Sequence, residues 1–331
     1  MTAVSTRGRL LLVGGAALVL AAVAIGYTVY AGGRPSDSAY ASQDVSPADD
    51  PGLYVRADDG YVVRQDGGLD GLGEGDAVPD RAGTGLDCFR FYAAGGTAVC
   101  LTPHGGLEPM TTARVLDSRL KVTKKLDFGG VPSRARVSPS GNVVSWTVFV
   151  TGDDYAASNF STRTGFYNTR TELLVKSLEG IGLLIDGQYR TPADANFWGM
   201  TFTDDDNVFY ATVSTGGETY LVKGDIEAWT ATALRTNVEC PSLSPDGTRI
   251  AFKKRVHDGV DDPWRLYVLD LATMEEHAVA EERNVDDQAA WLDGGTLAYG
   301  VDGGVWAVPA DGGGEPRLIA PDASSPSMVT P

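Results

Sequence analysis

The chain has 331 residues, a mass of 34.9 kDa and a formal charge of −17 from 27 basic and 44 acidic side chains. Glycine fills 41 positions, well above the usual ~7%, which excludes a long-helix or coiled-coil protein and points to many short strands joined by tight turns. So acidic a surface repels phosphate and argues against nucleic-acid binding, and three His with three Cys, in no CxxC or HxxxH spacing, give no support for a structural zinc site.

Arg7 and Arg9 precede residues 10–30, a run of 21 residues without a charge. About 20 apolar residues span a bilayer, and the basic flank stays on the cytoplasmic side. Residues 1–31 are therefore expected to form one N-terminal transmembrane helix, with the rest of the chain extracytoplasmic. A cleaved signal peptide is the alternative, since residues 29–31 and 39–41 both offer small-residue cleavage sites. The run exceeds the roughly 7–15 residues of a signal core, which favours a retained anchor on the cell membrane. No Cys lies near its end to take a lipid. Residues 32–51, with Pro, Ser, Asp and Ala and almost no large apolar side chain, read as a flexible linker. From Ser42 onward the chain holds 24 basic and 43 acidic residues, a charge of −19.

Residues 52–331 carry a repeat. Ser244-Pro245-Asp246-Gly247-Thr248-Arg249-Ile250-Ala251-Phe252 is followed, after a polar stretch, by Arg265-Leu266-Tyr267-Val268-Leu269-Asp270-Leu271. Similar pairs start at Ser138 and Glu172, at Thr203 and Thr219, at Leu292 and Gly304, and more weakly at Ala93 and Ala113. Each unit reads as a short strand, a polar turn whose Gly and Asp tolerate positive φ, a strand of β-branched and aromatic residues, then a third and a fourth strand. Four antiparallel strands recurring every 36–64 residues make a propeller blade. First strands are expected near Cys88, Arg134, Phe197, Glu239 and Gln288. A sixth blade is expected from both termini, with residues 325–329 as its first strand and residues 52–64 as its third and fourth, its second strand not being identified. The expected fold is all-β: a six-bladed β-propeller of four-stranded antiparallel blades.

The Ser-Pro-Asp-Gly and Leu-Tyr-Val-Leu-Asp-Leu pair resembles the repeat of the TolB-like β-propeller family, which also occurs in propellers of prolyl-oligopeptidase-type peptidases. The resemblance is sharpest over residues 239–280 and specifies the blade rather than a chemistry. It implies an envelope or membrane protein as partner. TolB carries an α/β domain before its propeller, where this sequence has only the expected linker, which weakens the case for sharing the partners of TolB.

Catalytic signals are sparse. No Gly-x-Ser-x-Gly nucleophile elbow occurs. His104, His257 and His277 fall in different repeats, with no nucleophile and carboxylate beside them. The clusters Asp204-Asp205-Asp206 and Asp258 with Asp261 and Asp262 lack the EF-hand pattern. No cofactor and no metal are expected. Residues 151–170 and 256–263 read as long loops between second and third strands, which emerge on one propeller face. Tyr155, Phe160, Phe166, Tyr167 and Trp264, among short polar neighbours, are the expected contact residues.

Cys88 and Cys100 flank a predicted hairpin. A three-residue turn at Ala93-Ala94-Gly95 would pair Tyr92 with Gly96 and set Cys88 opposite Cys100, at roughly 4.5–5.5 Å between Cα atoms, within disulfide range. An oxidising compartment permits the bond, leaving Cys240 a free, buried thiol. The leading functional expectation is a membrane-tethered, non-catalytic protein-binding or scaffold module. The alternatives are a glycan hydrolase or lyase using carboxylates in the central funnel, and an envelope sensor of a small ligand.

Overall fold

The computed structural model describes residues 38–67, 69–71, 77–106, 108–150, 161–257 and 262–330. Regular structure among them is entirely β. Blade 1 begins with β1 (Gly52–Ala57), β2 (Tyr61–Gln65) and β3 (Arg81–Asp87). Blade 2 is β4 (Arg90–Ala94), β5 (Thr97–His104), β6 (Met110–Asp117) and β7 (Val122–Gly129). Blade 3 is β8 (Val131–Val137), β9 (Val143–Val150), β10 (Ser161–Asn168) and β11 (Leu174–Val175). A hairpin of β12 (Gly182–Ile185) and β13 (Gln188–Arg190) precedes blade 4, which is β14 (Asn196–Phe202), β15 (Val208–Thr215), β16 (Glu218–Asp225) and β17 (Thr230–Thr236). Blade 5 is β18 (Glu239–Leu243), β19 (Arg249–Arg255), β20 (Trp264–Asp270) and β21 (Glu276–Ala278). Blade 6 is β22 (Ala290–Trp291), β23 (Thr296–Val301), β24 (Gly304–Pro309) and β25 (Arg317–Ala320). Finally β26 (Ala323–Val329) returns to pair antiparallel with β1 as the inner strand of blade 1. The ring is a six-bladed propeller closed by one C-terminal strand, which leaves no open edge between first and last blades.

Three assignments differ from the sequence reading. Residues 52–65 form the second and third strands of blade 1, not the third and fourth, and the fourth is β3. The third strand of blade 3 is β10, with residues 174–175 forming the outermost. Blade 4 belongs to a six-stranded sheet, because β12 adds parallel to β17 and carries β13 with it.

The hydrophobic core is six clusters, one between each pair of adjacent blades. Successive side chains of a strand point to opposite faces, so each central strand serves two clusters. Leu53 and Val55 pack towards blade 6, whereas Tyr54 packs towards blade 2. In β5, Ala98 and Cys100 face blade 1 while Val99 and Leu101 face blade 3. With both faces covered, second strands read as continuous apolar runs such as Val143–Val150.

Residues 38–51, expected as free linker, pack on the propeller. Ser38 Oγ donates to Asp59 Oδ2 (2.6 Å) in the β1–β2 turn. The segment then runs down the outer edge of β3, where Gly85 N–H donates to Tyr40 O and Asp44 N–H to Gly83 O. It crosses to blade 2 through Ala48 N–H and Ser118 O (2.9 Å). Gly83 permits this close approach, for a Cβ there would lie 2.7 Å from Tyr40 Cα. Backbone donors of a strand edge take up this segment because the edge would otherwise be unpaired. No helix among the described residues is long and apolar enough to cross a membrane. Residues 10–30 lie outside them.

Candidate functional site

Blades 2 to 6 turn from first to second strand on one face of the ring, and these turns, with the two chain ends at blade 1, surround a funnel of about 1240 Å³. The turn chemistry recurs. In blade 5, Gly247 N–H donates to Ser244 O (2.9 Å) and Gly247 takes φ +71°. Asp246 Oδ1 accepts from the Ser244 hydroxyl (2.5 Å) and from Thr248 N–H (3.1 Å). Blade 3 repeats it with Ser138, Ser140 and Gly141, and blade 4 with Thr203, Asp205 and a positive-φ Asp206. Asx and Ser/Thr turns of this kind supply local acceptors to N–H groups the hairpin leaves unpaired.

The funnel is two-sided. Blades 4, 5 and 6 contribute Asp204, Asp205, Asp246 and Asp293, whereas the other half, from blades 1, 2 and 3 and the N-terminal segment, has no carboxylate and contributes Pro47, Pro51, Ala93, Gly95, Pro139 and Val329 with Tyr92, Ser118 and Arg136. The Ser244 hydroxyl and the donors of Thr248 hold the Asp246 carboxyl down at about 2. Val208 N–H and the Thr203 hydroxyl lower Asp205 likewise. These groups stay ionised, so this half presents fixed negative charge rather than an acid poised near neutrality.

Side chains close the axis behind the funnel. Arg136 Nη2 donates to Ala289 O (3.0 Å), with its guanidinium 4.3 Å from the Tyr92 ring centroid. Gln288 Nε2 donates to Met200 O and Pro241 O, and Trp291 Nε1 to Ser242 O. On the far, interblade side, Arg90 Nε reaches Ser133 O (2.6 Å), Arg134 reaches Asp286, and Lys253 Nζ lies 2.5 Å from Asp286 Oδ1 and 3.8 Å from Glu239 Oε2. Burial raises Glu239 despite Lys253 beside it. Burial would raise Asp286 too, but Lys253, Arg134 and Arg90 outweigh it and the net shift is downward.

Of the predicted contact aromatics, the three among the described residues do not form a surface. Tyr155 and Phe160 lie outside the described residues. Phe166 and Tyr167 are on β10, not in a loop, and are buried in the clusters either side of blade 3. Trp264 is buried at the start of β20, its ring stacked by Lys253 (4.1 Å) and Arg255 (4.4 Å). These rings pack because their strands are covered on both faces. A central funnel was expected, but its lining escaped sequence reading since its walls come from residues 47 to 330. The recurrent Asp at equivalent turns was the available signal.

Cys88 and Cys100 are joined, with Cα atoms 5.4 Å apart, and Cys240 is free and buried. The register is not the one expected. A two-residue turn at Gly95-Gly96 pairs Ala94 with Thr97 and sets Cys100 opposite Phe91. Cys88 reaches Cys100 because it precedes β4, in the link from blade 1, where its N–H donates to Gly60 O.

Among the described residues no three His, Cys, Asp or Glu side chains gather to hold a metal. His104 faces Asp127 (3.6 Å) and His277 bonds Ala310 O (2.9 Å), both remote from the funnel.

Six four-stranded blades around a blocked axis define the class: a β-propeller with one open funnel. No protein-family model and no curated protein matches the chain. Solved structures do. TolB from Acinetobacter baumannii aligns with a TM-score of 0.52 and 15% identity, covering 84% of this chain and 66% of its own. A chain of the nidogen/laminin complex aligns with a TM-score of 0.53 and 9% identity, covering 85% of this chain and 99% of its own. Identities this low speak for architecture, and the fold is a TolB-like β-propeller.

Proposed function

We propose that the chain is a membrane-tethered, extracytoplasmic, non-catalytic binding module whose funnel receives a segment of an envelope or membrane protein. The observation that carries this is the asymmetric funnel, with carboxylates on three successive blades facing a half that has none and is lined by Pro, Ala and Gly with Tyr92, Ser118 and the bonded Arg136. Such a wall suits an extended segment with basic side chains on one flank and small apolar ones on the other. The uncharged run at residues 10–30 after Arg7 and Arg9 supports the tether, and the Cys88–Cys100 bridge suits an oxidising compartment.

Capture of partners from solubilised membranes tests the reading. Asp204 is exposed on the rim and makes no turn bond of its own kind with Thr203 or Val208, so Asp204→Lys should leave the fold intact and weaken capture at least tenfold. Asp262→Lys, on the opposite face, should not. The reverse pattern would sink the funnel reading. A second reading, a glycan-cleaving enzyme, draws support from Glu239 and Asp286, whose surroundings push the two carboxyls in opposite directions. Turnover of an oligosaccharide that is lost in Glu239→Gln would favour it over the binding module.

A further inference from the structure

We infer that the propeller sits with its interblade face, opposite the funnel, against the membrane that holds its N-terminus, so that the funnel opens away from the bilayer. This rests on the anchor reading above. Docking of residues 38–51 decides where the tether leaves the domain. Ser38 is held by Asp59. The turn containing Asp59 lies among the links between blades, since Asp58 N–H donates to Asp322 O and Cys88 N–H to Gly60 O. From there the docked segment runs down β3 to the funnel side, where Pro47 and Pro51 line the wall. The chain therefore exits at the face opposite the funnel.

Only residues 31–37 separate Ser38 from the uncharged run. Seven residues reach at most about 25 Å fully extended. Strands of seven or eight residues make the ring about 25 Å deep. A bilayer on the funnel side would need the whole tether stretched along the blade, with the funnel mouth pressed on the headgroups. On the interblade side the distance to be bridged is shorter than seven residues can reach.

The test uses the full chain in vesicles of phosphatidylcholine and phosphatidylglycerol containing a lipid with a nitroxide headgroup. Single fluorophores go on Val131→Cys and Glu282→Cys at the interblade face and on Asp204→Cys at the rim, Cys240 being buried and the other cysteines bridged. Quenching should be several-fold stronger at positions 131 and 282 than at 204. Protein that does not float with the vesicles would overturn the anchor reading and this inference with it. Protein that floats but is quenched equally or more at 204, or at 131 without 282 as an edge-on ring would give, overturns the orientation alone.

Discussion

Glu281 shows how a single buried charge is held. Its carboxylate accepts from the Tyr299 hydroxyl (2.6 Å) and, through both oxygens, from Arg283. Burial pushes its pKa up, but the Arg283 and Tyr299 donors outweigh burial and the net shift is downward. A carboxyl lowered in the folded state contributes stability above its ordinary value, near 4.3, and that contribution is lost as pH falls through the folded value. Thermal unfolding followed against pH should show Tm falling below about pH 4, less steeply in Glu281→Gln. Tyr299→Phe should cost about 1.5–3 kcal/mol at neutral pH, the worth of a hydrogen bond to a charged group. Phe166 makes a sharper case, because as a surface contact its loss would weaken binding and leave Tm alone. Being 1% exposed, it should instead cost about 3–5 kcal/mol on Phe166→Ala. The disulfide was legible as a pairing and misread as a register, since Gly95 and Gly96 form a two-residue turn where a three-residue turn at Ala93-Ala94-Gly95 was expected. Denatured, unreduced protein should expose one thiol per chain to labelling. Three would remove the bridge.

Blades were visible as elements because their turns carry chemistry that strands do not. Ser-Pro-Asp-Gly specifies a turn by its own bonds, and four such turns could be read in line. The third strand of blade 3 was missed because it is polar where a strand was sought as apolar. Thr164 is fully buried, its hydroxyl paired with Thr147 (2.8 Å) and Phe197 O (2.5 Å), so residues 161–168 resemble a loop in composition. Neighbouring turns also brace one another. Asp206 sits at φ +60° yet accepts from Ser140 Oγ (2.5 Å) and Asn142 Nδ2 (2.7 Å) of the preceding blade. Asp206→Gly relieves about 1 kcal/mol of backbone cost and removes two bonds to a charged acceptor worth about 1.5 kcal/mol each at this exposure, so denaturant melts should show a net loss of about 2 kcal/mol. Gly95 touches the Gly141 backbone, and a Cβ there would lie 2.2 Å from Gly141 N at φ +55°. Gly95→Ala should therefore cost about 2 kcal/mol or more.

For the molecule as a whole, the decisive element is the one strand that comes from the far terminus. Composition and turns announced a ring, and the two unmatched ends announced how it closes. The C-terminal remnant was legible as the first strand of its blade, whereas the strands supplied by residues 52–65 were hidden, because Asp-Asp-Gly serves equally between any two strands. Deleting residues 323–331 removes the inner strand of blade 1 and uncovers the clusters shared with blades 6 and 2. Circular dichroism should then show loss of the cooperative transition rather than a shifted one. Closure by β26 also governs how the domain answers to force. Load applied at the N-terminus does not reach the ring directly, for it meets residues 38–51 first, and these are held by a few bonds along one edge while β1 lies locked between β26 and β2. Under tension the strap peels before any blade shears, and its 14 residues, about 45 Å when extended less the roughly 25 Å of ring depth they already span, lengthen the chain by roughly 20 Å. In an optical trap this gives a small first extension at low force, separate from rupture of the ring. Gly83→Val, which crowds Tyr40, should abolish the first step and spare the second. The strap is thus a mechanical fuse, letting a ring pulled from its N-terminus yield by a set length while its funnel keeps its shape.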